Sequence, residues 1–178
     1  MVFVREDPIA RPGEGPRVTP VIRRKVAQAV RLGDTGRAMS EESTTHDLVA
    51  LTRRQFEAVN RHDMDAVMSR CTPDVVYDTS PDGMGLYEGP TAIRAFLGGW
   101  WDTFEEHALE PEEVLDLGHG IVFSLVRQTA RPADSTGRLQ KREAYVLEWV
   151  EDMVRRTTVY TDIDEGRAAA ERLAEERE

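Results

Sequence analysis

The chain is poor in the features that advertise a function. Its 178 residues hold one cysteine, Cys71, so no internal disulfide forms and the plain expectation is a reducing compartment, the cytoplasm. Cys71 has no Cys-His or Cys-x-x-Cys partner and reads as an inert buried thiol. No apolar run approaches the roughly 20 residues of a membrane-spanning helix, and the opening residues carry no signal-like apolar core. The four histidines, His46, His62, His107 and His119, show no metal-ligand spacing. Each sits beside a turn or helix end, where a surface place is expected, so no metal is implied. P-loop, GxGxxG, nucleophile-elbow and HExxH patterns are missing. Nothing in the sequence calls for a cofactor.

Positive charge is scarce after the first 38 residues. Residues 1–38 hold eight Arg/Lys against four Asp/Glu, whereas the remainder holds 15 against 29, within a net charge of -10. An acidic body argues against nucleic acid as a partner. The basic lead carries Pro8, Pro12, Pro16 and Pro20 with few large apolar residues, a composition expected to stay disordered. A weak helix over Val21–Leu32 is the exception, and Met39 looks like a natural start. Residues 1–43 are therefore read as an extension, 44–165 as the domain, and 166–178 as a C-terminal helix with an acidic tail.

The rest is periodic. Thr44-Thr45-His46-Asp47 offers a Thr N-cap to a helix that turns Leu48, Leu51, Phe56 and Val59 inward. A second short helix, Met64 to Cys71, is expected to close by Asp74. Val75–Ser80 reads as a β-branched strand and Pro81–Gly85 as a turn. Pro90 suits the first position of a helix whose Ile93, Phe96, Leu97, Trp100 and Phe104 form one stripe. Gly98-Gly99 within it implies close approach to a strand or a helix break. Four strands follow, at His107–Leu117, Ile121–Ala130, Leu139–Val150 and Val154–Tyr160, and Pro111 confines the first to an edge or a bulge. Asp162 and Glu165 form a capping box for a helix through about Arg172. The fold class is α+β, a curved antiparallel sheet wrapped around helices.

Several stretches carry a family likeness: Phe56-Glu-Ala-Val-Asn60 before Asp63, Pro73-Asp-Val-Val-Tyr77, Tyr87-Glu-Gly-Pro90 with Ile93-Arg-Ala-Phe96, and Val159-Tyr-Thr-Asp162. From Thr45 to Arg172 the chain resembles the nuclear-transport-factor-2-like superfamily, in its SnoaL-like, ketosteroid-isomerase-like branch. The resemblance implies a conical cavity. It also implies a small, mostly apolar ligand and a homodimer. Ketosteroid isomerase works with an Asp base and with Tyr and protonated Asp as oxyanion donors. Those positions fall here on Thr79, Gln55 and Ala144, and all three depart from the pattern, which argues against steroid-type isomerisation.

Other residues then become the candidates. Asp78 reaches the cavity if the strand slips by one residue or carries a bulge. Gln55 lies on an apolar helix face, where it needs a partner or a ligand. Tyr77 and Thr79 share a strand face and look inward by resemblance, and Trp100 joins them from the aromatic stripe. Along Leu139–Val150, Arg142, Ala144, Val146 and Glu148 share one face, and Glu143, Tyr145, Leu147 and Trp149 the other. Periodicity alone sends the second, more apolar face to the core. The resemblance sends the first to the cavity and the aromatic set to a dimer interface, and that is the reading adopted. Asp78 and Glu148 are then the candidate catalytic carboxylates, with Gln55, Tyr77, Thr79, Trp100 and Arg142 as substrate contacts.

Two functions fit. One is cofactor-independent acid–base catalysis of the isomerase, cyclase or hydrolase type. The other is a non-catalytic ligand-binding or dimerisation module. A cavity carboxyl with a raised pKa separates them, because a base poised near neutrality requires burial.

Overall fold

The computed structural model describes residues 47–134 and 136–178. The expected extension, its Val21–Leu32 helix, the Thr44-Thr45 cap and His46 lie outside the described residues. Helix α1, Leu48–Asn60, starts on Asp47, whose carboxylate accepts from the Ala50 amide at 2.9 Å. That N-cap satisfies one of the first-turn amides that have no helical partner. Helix α2, Met64–Ser69, is capped in the same way by Asp63. It ends before Cys71, and Asp74 belongs to strand β1, Cys71–Asp78, so the expected helical ending at Asp74 is not found.

A one-turn 3-10 segment, Ser80–Asp82, leads to β2, Leu86–Glu88, and to helix α3, Gly89–Asp102. A meander follows: β3 Phe104–Asp116, β4 Ile121–Pro132, β5 Leu139–Val150 and β6 Met153–Tyr160. Helix α4, Ile163–Glu176, runs a turn beyond the expected end at Arg172 and is capped by Asp162. The six strands lie in the order β2-β1-β6-β5-β4-β3, with β1 parallel to β6 and the other neighbours antiparallel. Pro111 sits on the edge strand β3 beside a register shift, where its missing N–H breaks no ladder. Among the described residues no helix is long and apolar enough to cross a membrane.

Strand β5 is buried from Glu143 through Trp149, on both faces. Toward α1 and α3 it sends Tyr145, Leu147 and Trp149 into a core with Phe56, Ile93, Leu97 and Trp101. Toward α4 it sends Ala144 and Val146, which pack with Ile121, Phe123, Ala170 and Ala174. Periodicity therefore identifies the inner face correctly and the resemblance does not. The expected dimer face of Tyr145, Leu147 and Trp149 is interior to the single chain, so it offers nothing to a second copy.

Gly98 and Gly99 sit in an unbroken α3, and nothing lies within 4 Å of a Cβ placed on either. Neither expected reason applies, and nothing in the structure explains the pair. Gly166 is different. A Cβ there would stand 2.6 Å from the Ala144 Cβ and 3.2 Å from the Tyr160 ring. The missing side chain lets α4 lie flush on β5 and β6. Gly166→Val should cost roughly 1–3 kcal/mol by overpacking, read as a lower Tm; an unchanged Tm would show that α4 docks without that contact.

Candidate functional site

Between α1, α2 and α3 and the inner face of the sheet lies a cavity of about 90 Å³. At roughly 10–15 Å³ per water-sized sphere, it has room for a few waters or a small ring. One wall is aromatic: Phe96, Trp100 and Trp101 of α3 line it, while Tyr87 of β2 and Phe104, which opens β3 instead of completing the expected α3 stripe, pack against them. Tyr87 stacks on Phe96 with ring centroids 4.1 Å apart, Trp100 meets Phe104 at 5.1 Å, and Phe104 meets His107 at 5.8 Å. Trp100 and Trp101 line the hollow without filling it. Met84, in the turn after the 3-10 segment, contributes to its wall.

The opposite wall is the sheet, and it carries polar groups in a row. Pleating gives β5 side chains Lys141, Glu143, Tyr145 and Leu147 one face, and all four line the cavity. Gln128 stands opposite Lys141 in the β4–β5 ladder. Glu143 is 2% exposed. Lys141 Nζ is 2.5 Å from its carboxylate and 3.7 Å from Asp82 at the head of the loop. The Tyr145 hydroxyl donates to Glu143 over 3.5 Å and also bonds to Tyr77. Burial pushes the Glu143 carboxyl above the ordinary carboxylate range, and the Asp82 charge adds to that, against the pull of Lys141 and Tyr145. Burial likewise raises Tyr77 and Tyr145 and the Glu143 charge adds to both; Tyr77 raises Tyr145 further, whereas the bond with Tyr145 pulls Tyr77 back down. Both phenols stay un-ionised donors.

Of the residues expected at the site, Gln55, Tyr77, Thr79 and Trp100 line the cavity. The Gln55 amide N–H donates to the Val67 carbonyl at 3.0 Å, which leaves its Oε1 buried without a partner. Thr79 donates its hydroxyl to the Gly85 carbonyl at 2.8 Å and braces the loop. Cys71, also on the wall, points its thiol at the Val67 carbonyl, and burial raises its pKa to about 11. It is no nucleophile.

Asp78, Glu148 and Arg142 are elsewhere. The register of β1 against β6 does shift between Cys71 and Val76, but it is regular from Val76 on, and Asp78 stands opposite Thr158 outside the cavity lining. Burial alone would push its carboxyl upward. The Ser80 hydroxyl and amide and the Arg156 guanidinium outweigh burial and hold it below the ordinary range. An anion so held is a poor base. Glu148, on the α4 side, accepts from Arg177 and, at 3.4 Å, from Arg155. Arg142 is exposed and pairs with Glu112 at 2.8 Å. The three share the outer face because alternation follows the true inner set, and Ala144 goes with them.

Sequence reasoning missed Glu143, Tyr145, Lys141, Gln128 and His107. The signal for the first two was present: one carboxylate and one phenol on the face that periodicity sends inward. His107 had none, since its burial comes from β3 crossing under α3. It stands in the wall between the cavity and a polar groove lined by His62, Glu105, Glu106 and Arg138. Among the described residues no cluster of His, Cys, Asp and Glu could hold a metal ion.

A SnoaL-like domain model matches residues 52–170. No curated protein matches the sequence. Among solved structures, an NTF2-like protein of unknown function from Burkholderia pseudomallei K96243 is 20% identical with a TM-score of 0.57, over 65% of this chain and 91% of that one. TerC, co-crystallised with polyporic acid, is 15% identical with a TM-score of 0.56, over 69% and 97%. A protein from Shewanella denitrificans OS-217, assigned as a SnoaL-like polyketide cyclase, is 13% identical with a TM-score of 0.54, over 67% and 96%. At such identities the likeness establishes the fold alone.

The raised Glu143 pKa has a consequence for stability. A raised folded pKa favours the protonated acid, so the contribution is complete at acid pH and is lost as pH rises through the folded value. Glu143→Gln, neutral throughout, avoids that loss. The Tm of the variant relative to the native protein should therefore increase from about pH 4 to about pH 7. A difference that shrinks over that interval would mean the Lys141 pair outweighs desolvation.

Proposed function

The chain belongs to the SnoaL-like domain family, and from that footing we propose that it catalyses proton transfer on a small, mostly apolar oxo compound without a cofactor. The observation that carries this reading is Glu143: buried, on the cavity wall, raised in pKa and backed by a phenol. A carboxyl moved from its usual range toward neutrality is fitted to take a proton and give it back.

In the proposed step, the Glu143 carboxylate removes a proton from the carbon next to a carbonyl. The C–H electron pair shifts onto the carbonyl oxygen as an enolate forms. Tyr145 gives its one O–H to the acid, and Tyr77, un-ionised because it is buried, supplies an O–H donor beside it; preorganised donors stabilise charge most in a dry site. With a β,γ double bond in the substrate the enolate is a dienolate, and return of the proton from Glu143 to the γ carbon completes an isomerisation. Attack of the enolate carbon on a second carbonyl closes a ring, and the alkoxide formed takes the proton back from Glu143. Lys141 spans from solvent to Glu143 and keeps the carboxylate form accessible despite its burial. The aromatic wall of α3 excludes water and presents flat faces to a flat ligand.

The test is α-carbon deuterium exchange of a panel of small cyclic and aryl ketones in D2O, followed by NMR. The native protein should accelerate exchange of at least one, and Glu143→Gln should lose about 10²–10⁴-fold of it. Tyr145→Phe should lose less. A panel that binds with no exchange above background would favour the non-catalytic binding module instead.

A further inference from the structure

Three residues that line the cavity each carry a buried polar atom with no partner in the protein: Gln55 Oε1, Trp101 Nε1 and His107 Nδ1. Such atoms are rare in folded proteins and costly to leave unpaired. His107 is the most informative, because its other nitrogen fixes its state. The indole N–H of Trp100 points to His107 Nε2 at 3.4 Å, and Gln128 Nε2 stands 2.9 Å from the same atom. An indole N–H only donates, so His107 Nε2 presents a lone pair. A neutral imidazole then carries its proton on Nδ1.

The surroundings favour the neutral ring. Burial pushes the His107 pKa down to about 4, and His62 and Lys141 add to it. The remaining charged groups near it, Glu105, Glu106 and Arg138, share the outer groove, where Glu106 is paired with Arg131 and Arg138, and Glu105 with Arg131. His107 therefore offers one buried N–H donor with nothing to receive it.

We propose that His107 binds the oxygen of the cavity's ligand, donating its Nδ1–H to a carbonyl. This deepens the acid–base reading and rests on it for chemistry. It places an oxygen-anchoring group on β3, apart from the Tyr77–Tyr145 pair. An un-ionised imidazole is suited to that role because it can polarise a carbonyl without first giving up its proton.

The experiment uses the full chain with ¹⁵N-labelled histidine and long-range ¹H–¹⁵N NMR. His107 should show the neutral Nδ1–H tautomer from about pH 5.5 to about pH 8. Acetophenone should shift its Nδ1–H signal, and ethylbenzene, of similar shape without the oxygen, should leave it in place. Acetophenone should bind about fivefold more tightly than ethylbenzene, the scale of one net hydrogen bond. His107→Phe should bring the two near parity, and His107→Gln, which keeps an N–H donor, should retain part of the preference even if the Phe variant fails to fold. Glu143→Gln should keep the preference while losing deuterium exchange, so the two proposals fail separately. An Nε2–H tautomer, a ring charged above about pH 6, a preference that survives His107→Phe, or failure of acetophenone to bind at millimolar concentration would overturn the assignment.

Discussion

Strand β5 is pressed between helices on both sides, and the rest follows from that. Pleating sorts its buried run into two sets, and each needs a covering layer. Ala144 and Val146 are small enough for α4 to lie close, helped by Gly166. Tyr145, Leu147 and Trp149 reach into the wider space under α1 and α3. The same alternation carries Glu143 inward with them. A carboxylate enters the driest part of the fold because its neighbours two and four residues along belong there.

Environment divides the buried carboxylates by role. Asp78 is bonded by Ser80 and Arg156, and Glu148 by Arg155 and Arg177. Charge-assisted bonds of that kind fix an anion in place. Glu143 has one lysine and a long bond from a phenol, too little to offset desolvation, so its carboxyl sits above its ordinary range. The outer pairs link β1, β6 and β5 to one another and the end of α4 to β5; the inner carboxyl has fewer charged partners.

Much of this is legible in the residues. Turn chemistry, strand alternation and the α3 stripe locate the four helices and five of the six strands to within a few residues, and Pro111 announces an edge strand; the three-residue β2 is not foreseen. Gln55, Tyr77, Thr79 and Trp100 fall on the cavity, where their periodicity and the family likeness together put them. The failure lies in β5. Periodicity picks out the more apolar face, which is the inner one, and the likeness overrules it in the wrong direction. That reading moves Glu143 and Tyr145 to an interface the fold does not offer and puts Glu148 and Arg142 in the cavity. His107 is out of reach for another reason: nothing local distinguishes a histidine beside a turn from one that α3 covers.

A direct titration of the Glu143 carboxyl, followed by ¹³C NMR of the native protein with Glu143→Gln as the assignment control, tests the central claim most plainly. Burial on the cavity wall predicts a midpoint displaced upward from the value of about 4.5 expected of an ordinary glutamate. A midpoint at or below that value would mean Lys141 holds Glu143 as a fixed anion, and the cavity would then have lost its acid–base group.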